Sequence, residues 1–335
     1  MKAYVVQPKS GIDGLTLIDR ATPALGPTDV RVRVHAVSLN YRDLIIARGV
    51  TNLAKPIVPV SDGAGEVVDV GSAVTRWKKG DRVVASFFPT WQSGLLSDAH
   101  HAAALGGGQD GMLAEEVVLP ESAWLAVPEH LSFDEAATLP CAGVTAHNAL
   151  FESASLRPGD TVLVQGTGGV SIFALQLAKA AGATVVLTSQ SAEKRERGKQ
   201  LGADHVIDYK ADPTWGESAF AWTGGRGVDI AVEVGGPGTF NQSVASLRYG
   251  GTVSLIGVLT GMGGEINTSA IFRKALRVAG IYVGSVDMFE TFNRALSASR
   301  IKPIIDRVYA FDQAKQAYEH LASAKHFGKV VIRTI

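Results

Sequence analysis

Hydrophobic and polar positions alternate strictly over residues 30–36, with Val30, Val32, Val34 and Ala36 on one face and Arg31, Arg33 and His35 on the other. Patterning with a period of two predicts a half-buried β-strand. A second β segment follows at Gly65-Glu66-Val67-Val68-Asp69-Val70, closed by Gly71-Ser72, and the texture from Lys2 to about Ala126 stays strand-like. Lys79-Gly80-Asp81 and Arg157-Pro158-Gly159-Asp160 read as turns. The rhythm changes at Thr161. Thr161-Val162-Leu163-Val164-Gln165 is a short apolar run, as suits a strand buried on both faces. A glycine-rich turn comes next, then a helix over 171–181, an apolar strand over 184–188 and a charged helix over 192–201. Strand-like segments at 205–207, 228–233, 252–256 and 278–283 continue the series. A parallel, doubly wound sheet is the natural solution to such strand–helix alternation. After Gly284, amphipathic helices over 288–299 and 312–323 are each followed by a strand. Residues 87–111, which include Gly106-Gly107-Gly108, fit neither rhythm. They read equally as a long surface loop or as a rim over a cleft.

Composition narrows the function classes. The 335 residues suggest about two domains, and at 46% hydrophobic and 19% charged they fill a substantial core, which excludes wholesale disorder. Lys+Arg 32 balances Asp+Glu 32, so the long-range field of a general nucleic-acid or anionic-membrane binder is missing. With one cysteine, Cys141, neither an intrachain disulfide framework nor a four-thiolate zinc site is possible. The N-terminal segment has no apolar core of a signal peptide, and no uninterrupted apolar run of about 18 residues occurs. A soluble protein of the cytoplasm is expected, with no nucleic-acid or membrane partner.

Gly166-Thr167-Gly168-Gly169-Val170-Ser171 lies between the first buried strand and its helix. Glycines at such a turn let the backbone approach a pyrophosphate, whose charge the helix N-terminus then holds. Ser171 stands where the last glycine of the fingerprint is usual and is small enough to keep helix and strand close. The plainer alternative is an ordinary glycine-rich turn. An NAD site offers an acidic residue about 20 residues past the first glycine. That place reads Thr188-Ser189-Gln190-Ser191 here, followed by Lys194 and Arg195. Hydroxyls and cations suit a 2′-phosphate, so NADP(H) is the expected cofactor. Otherwise Lys194 and Arg195 are a solvated helix face.

These residues, with Leu39-Asn40-Tyr41-Arg42-Asp43-Leu44, Ser61-Asp62-Gly63-Ala64-Gly65-Glu66-Val67, Leu139-Pro140-Cys141-Ala142-Gly143-Val144-Thr145 and Leu201-Gly202-Ala203-Asp204-His205-Val206-Ile207-Asp208-Tyr209, resemble the medium-chain dehydrogenase/reductases. The likeness is to their zinc-independent, quinone-oxidoreductase-like branch and spans essentially the whole chain. It implies an α/β protein: a GroES-like β-rich catalytic domain and a Rossmann nucleotide domain with a six-stranded, doubly wound parallel sheet. The implied division is 1–126, then 127–283 for the cofactor, then 284–335 returning to the catalytic domain. It further implies a homodimer paired along 278–283 and a small carbonyl, enone or quinone substrate. Pocket walls fall on residues 51–59 and 87–111.

Zinc members of that family carry Cys-x-[Ser/Thr]-Asp, then Gly-His-Glu, then a second Cys. The matching places here hold Asn40, Ser61 and Cys141, and a catalytic zinc needs three protein ligands. No metal is expected; His100-His101, read on a strand, would point to opposite faces. The hydroxyl that takes the alcohol's proton is matched by Arg42, and a relay histidine by Ile45. Alcohol oxidation needs both a Lewis acid and a proton exit, whereas conjugate reduction asks for less. Asn40 and Tyr41 are the catalytic candidates, as donors to a negative oxygen; a strand-end cap and an interface aromatic are their plainer readings. Asp43 reads as structural, paired with Arg42, Arg48 or a backbone amide, Asp62 as securing its turn, and Cys141 as a small inert hydrophobe. For the cofactor, the resemblance assigns Thr145 to the nicotinamide side and Gly166, Thr167, Gly168, Gly169 and Val170 to the phosphates. Ser189, Lys194 and Tyr209 fall at the 2′-phosphate, and Val258 and Val283 at nicotinamide through their main chain. Lys329 falls near the phosphates, or is a surface lysine opening the last strand. The expected activity is hydride transfer from NADPH to a quinone, enone or 2-enoyl compound. A zinc-free alcohol dehydrogenase or ketone reductase is the first alternative, and a non-catalytic NADPH-sensing protein the second.

Overall fold

A computed structural model of the chain describes residues 1–7, 10–49 and 55–335; of the expected wall at 51–59, residues 51–54 lie outside the described residues. Strands β1 (Lys2–Val6), β2 (Leu15–Asp19), β3 (Asp29–Leu39), β4 (Asp62–Val70), β5 (Arg82–Ala85), β6 (Glu116–Pro120) and β7 (Trp124–Ala126) come first. Next are β8 (Thr161–Gln165), β9 (Thr184–Thr188), β10 (His205–Ile207), β11 (Val228–Glu233), β12 (Leu247–Leu255) and β13 (Arg277–Gly280). The chain closes with β14 (Ile305–Tyr309) and β15 (Lys329–Arg333).

Two compact units result, Met1–Val144 with Gly284–Ile335 and, separately, Thr145–Val283. Residues 127–144, assigned by sequence to the nucleotide domain, cluster with the first unit. The reason is local: Phe133 stacks on His35 at 4.2 Å and takes the Arg82 guanidinium at 4.8 Å. The first unit carries a β1–β2 ribbon and a sheet ordered β14-β15-β3-β4-β5-β7, with β6 also on β3. In β3, Val30, Val32, Val34 and Ala36 are buried, as their alternation predicts, and Val37, Ser38 and Leu39 are buried as well. Antiparallel pairing of Val330 with Leu39 brings the start of the last strand beside the end of β3. That register places the candidate site.

The second unit is a six-stranded sheet ordered β10-β9-β8-β11-β12-β13, parallel throughout. Every residue of β8 and β11 is buried, as expected for strands covered on both faces. β12 begins before the predicted 252, because Leu247 pairs with Val228 across a register shift. β13 ends at Gly280 rather than 283: Ile281 makes one more bond to Leu255, and Val283 turns to φ 55. No helix among the described residues is long and apolar enough to cross a membrane.

Residues 87–111 are mostly irregular, exposed over much of 92–102 and packed at both ends. Phe87, Phe88, Trp91, Ala104 and Leu105 are buried, and a short helix, Asp98–Ala102, carries His100 and His101. The expected strand geometry for that pair is therefore wrong; His100 instead accepts the Ser97 N–H at 3.2 Å as part of the helix cap. The glycines serve close approach. Val60 has φ 73, an outlier for a β-branched residue. The Val60 carbonyl accepts from the Met112 amide at 2.7 Å. A Cβ on Gly106 would come 2.7 Å from the Val60 backbone, and one on Gly111 would come 2.2 Å from its carbonyl oxygen. The glycine-rich segment thus wraps the strained turn ahead of Ser61 and Asp62. Gly111→Ala is expected to cost at least about 2 kcal/mol in urea unfolding. Gly263→Ala, where nothing lies within 4 Å, should change stability by less than about 0.5 kcal/mol.

Candidate functional site

In the first unit the site forms where β3 ends. Asn40 turns the chain into the helix Tyr41–Ala47, and its N–H donates to Asp43 Oδ2 at 2.8 Å, tying the first turn down. Asp43 is fully buried. Burial pushes its carboxyl up to about 6, against the opposing pull of Arg42, whose Nη1 lies 3.7 Å away. Arg42 is itself fixed, donating to the Leu105 carbonyl at 2.9 Å and lying 4.6 Å over the Phe87 ring. Asp43 therefore has the structural role read from sequence, with Arg42 and the Asn40 amide as its partners.

Lys329 opens β15 and is 3% exposed; the surface-lysine alternative does not hold. Its ammonium donates to the Leu39 carbonyl at 2.7 Å and to Asn40 Oδ1 at 2.5 Å. Asp62, fully buried at the start of β4, accepts from Ser61 Oγ at 2.7 Å and from the Cys141 amide at 3.1 Å. Burial raises the Asp62 carboxyl, and the Lys329 charge with the Ser61 and Asn40 side chains opposes the rise. Burial, helped by the Asp62 charge, also pushes the Cys141 thiol well up. Tyr41, by contrast, is 38% exposed. Sequence reasoning paired neither Lys329 nor Asp62 with Asn40. The available signal was a lysine opening an otherwise apolar strand, Lys329-Val330-Val331-Ile332.

These donors do not suit a zinc ion. Asn40 and Ser61 are bonded to Lys329 and Asp62, and Cys141 alone does not supply the three protein ligands a catalytic zinc needs. Among the described residues no group of three or more His, Cys, Asp or Glu gathers as metal ligands would.

The second unit holds the glycine-rich turn. Gly166 has φ 69, and neither it nor Gly168 has an atom within 4 Å of where a Cβ would stand, so the turn presents an open backbone face. Gly168 is the N-cap of the helix Gly169–Ala180, whose first amides, those of Gly169 and Val170 among them, have no intrahelical partner. Thr167 is buried at 6% exposure. Ser171 does more than save space: its hydroxyl donates to the Gln165 carbonyl at 2.6 Å, locking the helix start to the end of β8. An open backbone face at a helix N-terminus fits a dinucleotide pyrophosphate.

At the end of β9, Ser189 is buried and its N–H donates to the Ile207 carbonyl. Arg195 bonds the Ser189 carbonyl at 2.7 Å and Asp208 Oδ2 at 2.8 Å, so it is no solvated helix face. The amides of Ala211 and Lys210, together with Arg195, hold the Asp208 carboxyl below the usual range. The Lys194 amide caps on Ser191 Oγ at 3.3 Å, and Tyr209 is 38% exposed. Thr145 is buried, the Val258 carbonyl closes a turn with Gly261, and the Val283 carbonyl accepts from Asn148 Nδ2 at 2.8 Å. Sequence reasoning missed Glu233, fully buried at the end of β11. It accepts from Gln165 Nε2 at 2.6 Å, from the Gly235 and Gly236 amides at 2.8 Å each, and from the Thr239 and Ser243 hydroxyls.

The buried Asp43 carboxyl makes stability depend on pH with a definite sign. The folded state holds its proton to about pH 6, whereas the unfolded chain releases it near the ordinary 3.8. This group therefore makes stability fall as pH rises through that window. Asp43→Asn keeps an acceptor for the Asn40 amide and should remove up to roughly 3 kcal/mol of that fall. Urea midpoints of both proteins from pH 4 to 7 measure it; a wild-type-minus-variant difference that is flat with pH contradicts the assignment.

Comparison with known proteins supports one family along the chain. Residues 26–129 match the alcohol dehydrogenase GroES-like domain, and residues 169–298 the zinc-binding dehydrogenase family. A zinc-type alcohol dehydrogenase-like protein of Schizosaccharomyces pombe is 46% identical, with 98% of each chain covered. A quinone oxidoreductase-like protein 2 homolog of Nematostella vectensis is 30% identical over 94% of this chain and 84% of its own. The crystal structure of a putative alcohol dehydrogenase from Sinorhizobium meliloti superposes with a TM-score of 0.93 at 42% identity, with 99% of each chain covered. The family is one of nicotinamide-dinucleotide oxidoreductases, which accounts for the glycine-rich turn between β8 and its helix. The chain belongs to the medium-chain dehydrogenase/reductase family.

Proposed function

We propose that this protein is a zinc-independent, NADPH-dependent oxidoreductase that passes hydride to an activated acceptor: a quinone, an enone or a 2-enoyl compound. The observation that carries this reading is the state of the Asn40 side chain, whose Oδ1 is bonded to a buried ammonium. Polar donors of this kind serve a reaction that accumulates charge on an oxygen already conjugated to the reacting carbon. They serve poorly for making an alkoxide, which needs a Lewis acid and a proton exit. Hydride added at the β-carbon moves the double-bond pair toward the carbonyl and leaves the negative charge on its oxygen. Solvent supplies the later proton.

When bound, NADPH supplies the hydride from C4 of its nicotinamide ring. In this reading the Gly166–Val170 backbone holds the pyrophosphate, and Ser189, Lys194 and Tyr209 recognise the 2′-phosphate. The lack of a carboxylate at the end of β9 supports NADPH over NADH. Thr145, Val258 and Val283 are assigned to the nicotinamide, and the corner at Asn40 and Tyr41, where Lys329 is held, to the acceptor. The location is the cytoplasm and the state a homodimer. Support for the dimer is β13, which ends the six-strand order with Tyr249, Phe272, Val278 and Tyr282 exposed around it.

The test is cofactor consumption by chelator-treated enzyme over matched acceptors. Quinones, enones or enoyl thioesters should turn over with NADPH while the corresponding saturated ketones do not. Preferential turnover of the ketones, or activity that chelation abolishes, overturns the reading. Binding without consumption over the whole panel selects the NADPH-sensing alternative. For the dimer, sedimentation of Val278→Asp should show monomer where the wild type shows twice that mass; a wild-type monomer contradicts it.

A further inference from the structure

We propose that the Lys329 ammonium, held in place by Asn40, is the group that contacts the acceptor oxygen and stabilises its negative charge. An ammonium has three N–H donors. Lys329 uses two, on the Leu39 carbonyl and Asn40 Oδ1. Among the described residues no carboxylate forms an ion pair with it, and Asp62 acts on it through space rather than by contact. A cation this buried, at 3% exposure, with a donor to spare, is costly to keep unless a ligand oxygen completes it. In a water-poor setting, a fixed charge of this kind lowers the energy of an oxygen that becomes negative during reaction far more than it would in solvent.

Asn40 has a different role. Its Oδ1 accepts from Lys329, and its amide donates, at 3.4 Å, to the Ser38 carbonyl. The side chain is thereby committed. Asn40 becomes a positioning residue that aims the ammonium, and Lys329 the catalytic one. Ser61 and the Cys141 amide keep Asp62 turned into the cluster, which offsets the cation without quenching it. The oxyanion that Lys329 meets could come from the acceptor or from a cofactor phosphate. One remaining donor, so deeply set, suits a single acceptor oxygen better than a phosphate group.

This inference rests on the acceptor reduction proposed above, and its test is chosen so that the two can fail separately. p-Nitrophenol, an acceptor-sized ring whose absorbance reports ionisation, is titrated into the full-length protein without NADPH. The wild type should prefer phenolate over phenol by about tenfold or more. Lys329→Gln, which keeps a donor of similar reach, and Lys329→Met should both lose the preference. Lys329→Arg should keep part of it, and Asn40→Ala should weaken it. With an enone, Lys329→Gln should lower kcat by about 10²- to 10³-fold while the NADPH dissociation constant stays within about threefold. If the wild type shows no phenolate preference, the inference is overturned whatever the variants do. Weakened NADPH binding in Lys329→Gln with an unchanged phenolate preference also overturns it and assigns the cation to a cofactor phosphate. A Lys329-dependent phenolate preference in a protein that turns over no acceptor keeps the oxyanion site and rejects acceptor reduction.

Discussion

An ammonium withdrawn from water costs several kcal/mol unless its N–H bonds and its charge are met, and Lys329 imposes that requirement on the first unit. Its partners, Leu39 and Asn40, lie 290 and 289 residues away in sequence. Only the antiparallel register that sets Val330 against Leu39 brings them within reach. A slip of one residue in that pairing would turn Lys329 to the other face of the sheet and leave the ammonium without either acceptor. The C-terminal return of the chain is thus more than an extra pair of strands. It delivers the Lys329 cation to the Asn40–Asp62 cluster.

The second unit solves a related problem at the carboxyl ends of its strands, where ligands bind in open α/β sheets. The turns after β8 and β11 have to stay open and still hold their shape. Ser171 ties the glycine-rich turn to Gln165 through that residue's carbonyl, and the Gln165 side chain carries the restraint across to Glu233. Glu233 then gathers two backbone amides and two hydroxyls from the next loop and helix. A carboxylate that accepts so many bonds is affordable inside a sheet because its lone pairs are filled. The result is two adjacent strand ends braced by side chains, with the backbone of Gly166–Gly168 left unencumbered.

Much of the fold was legible because periodicity is a local property. The alternation of Val30–Ala36 and the short apolar runs within β8, β9 and β11 declare their faces within a few residues. The strand-turn-helix around Gly166 is equally local, and so were the turns at Gly80 and Gly159, which the structure places at φ 90 and 88. What stayed hidden depends on distant pairing. The bond between Lys329 and Asn40 was not legible, because nothing near either residue in sequence reveals the other as its partner. For residues 87–111 the sequence left open how the segment is held, because its anchoring comes from close packing against Val60 and Arg42, and glycines chosen for closeness look like glycines chosen for flexibility. The end of β13 was misjudged because Ile281 and Val283 are β-branched and read as strand, while a left-handed Val283 stops it.

The charges around Asn40 are met within the first unit. Asn40 and Ser61 are neutral, burial pushes the Cys141 thiol up and so favours its protonated form, and the Lys329 charge stands against Asp62. A buried site survives replacement of its groups more readily than a change in its net charge, because uncompensated charge is what burial penalises. The substitutions therefore act as a set. Restoring Cys at position 40 alone would remove the acceptor for Lys329 and place a thiol beside an ammonium, with Ser61 still bonded to Asp62.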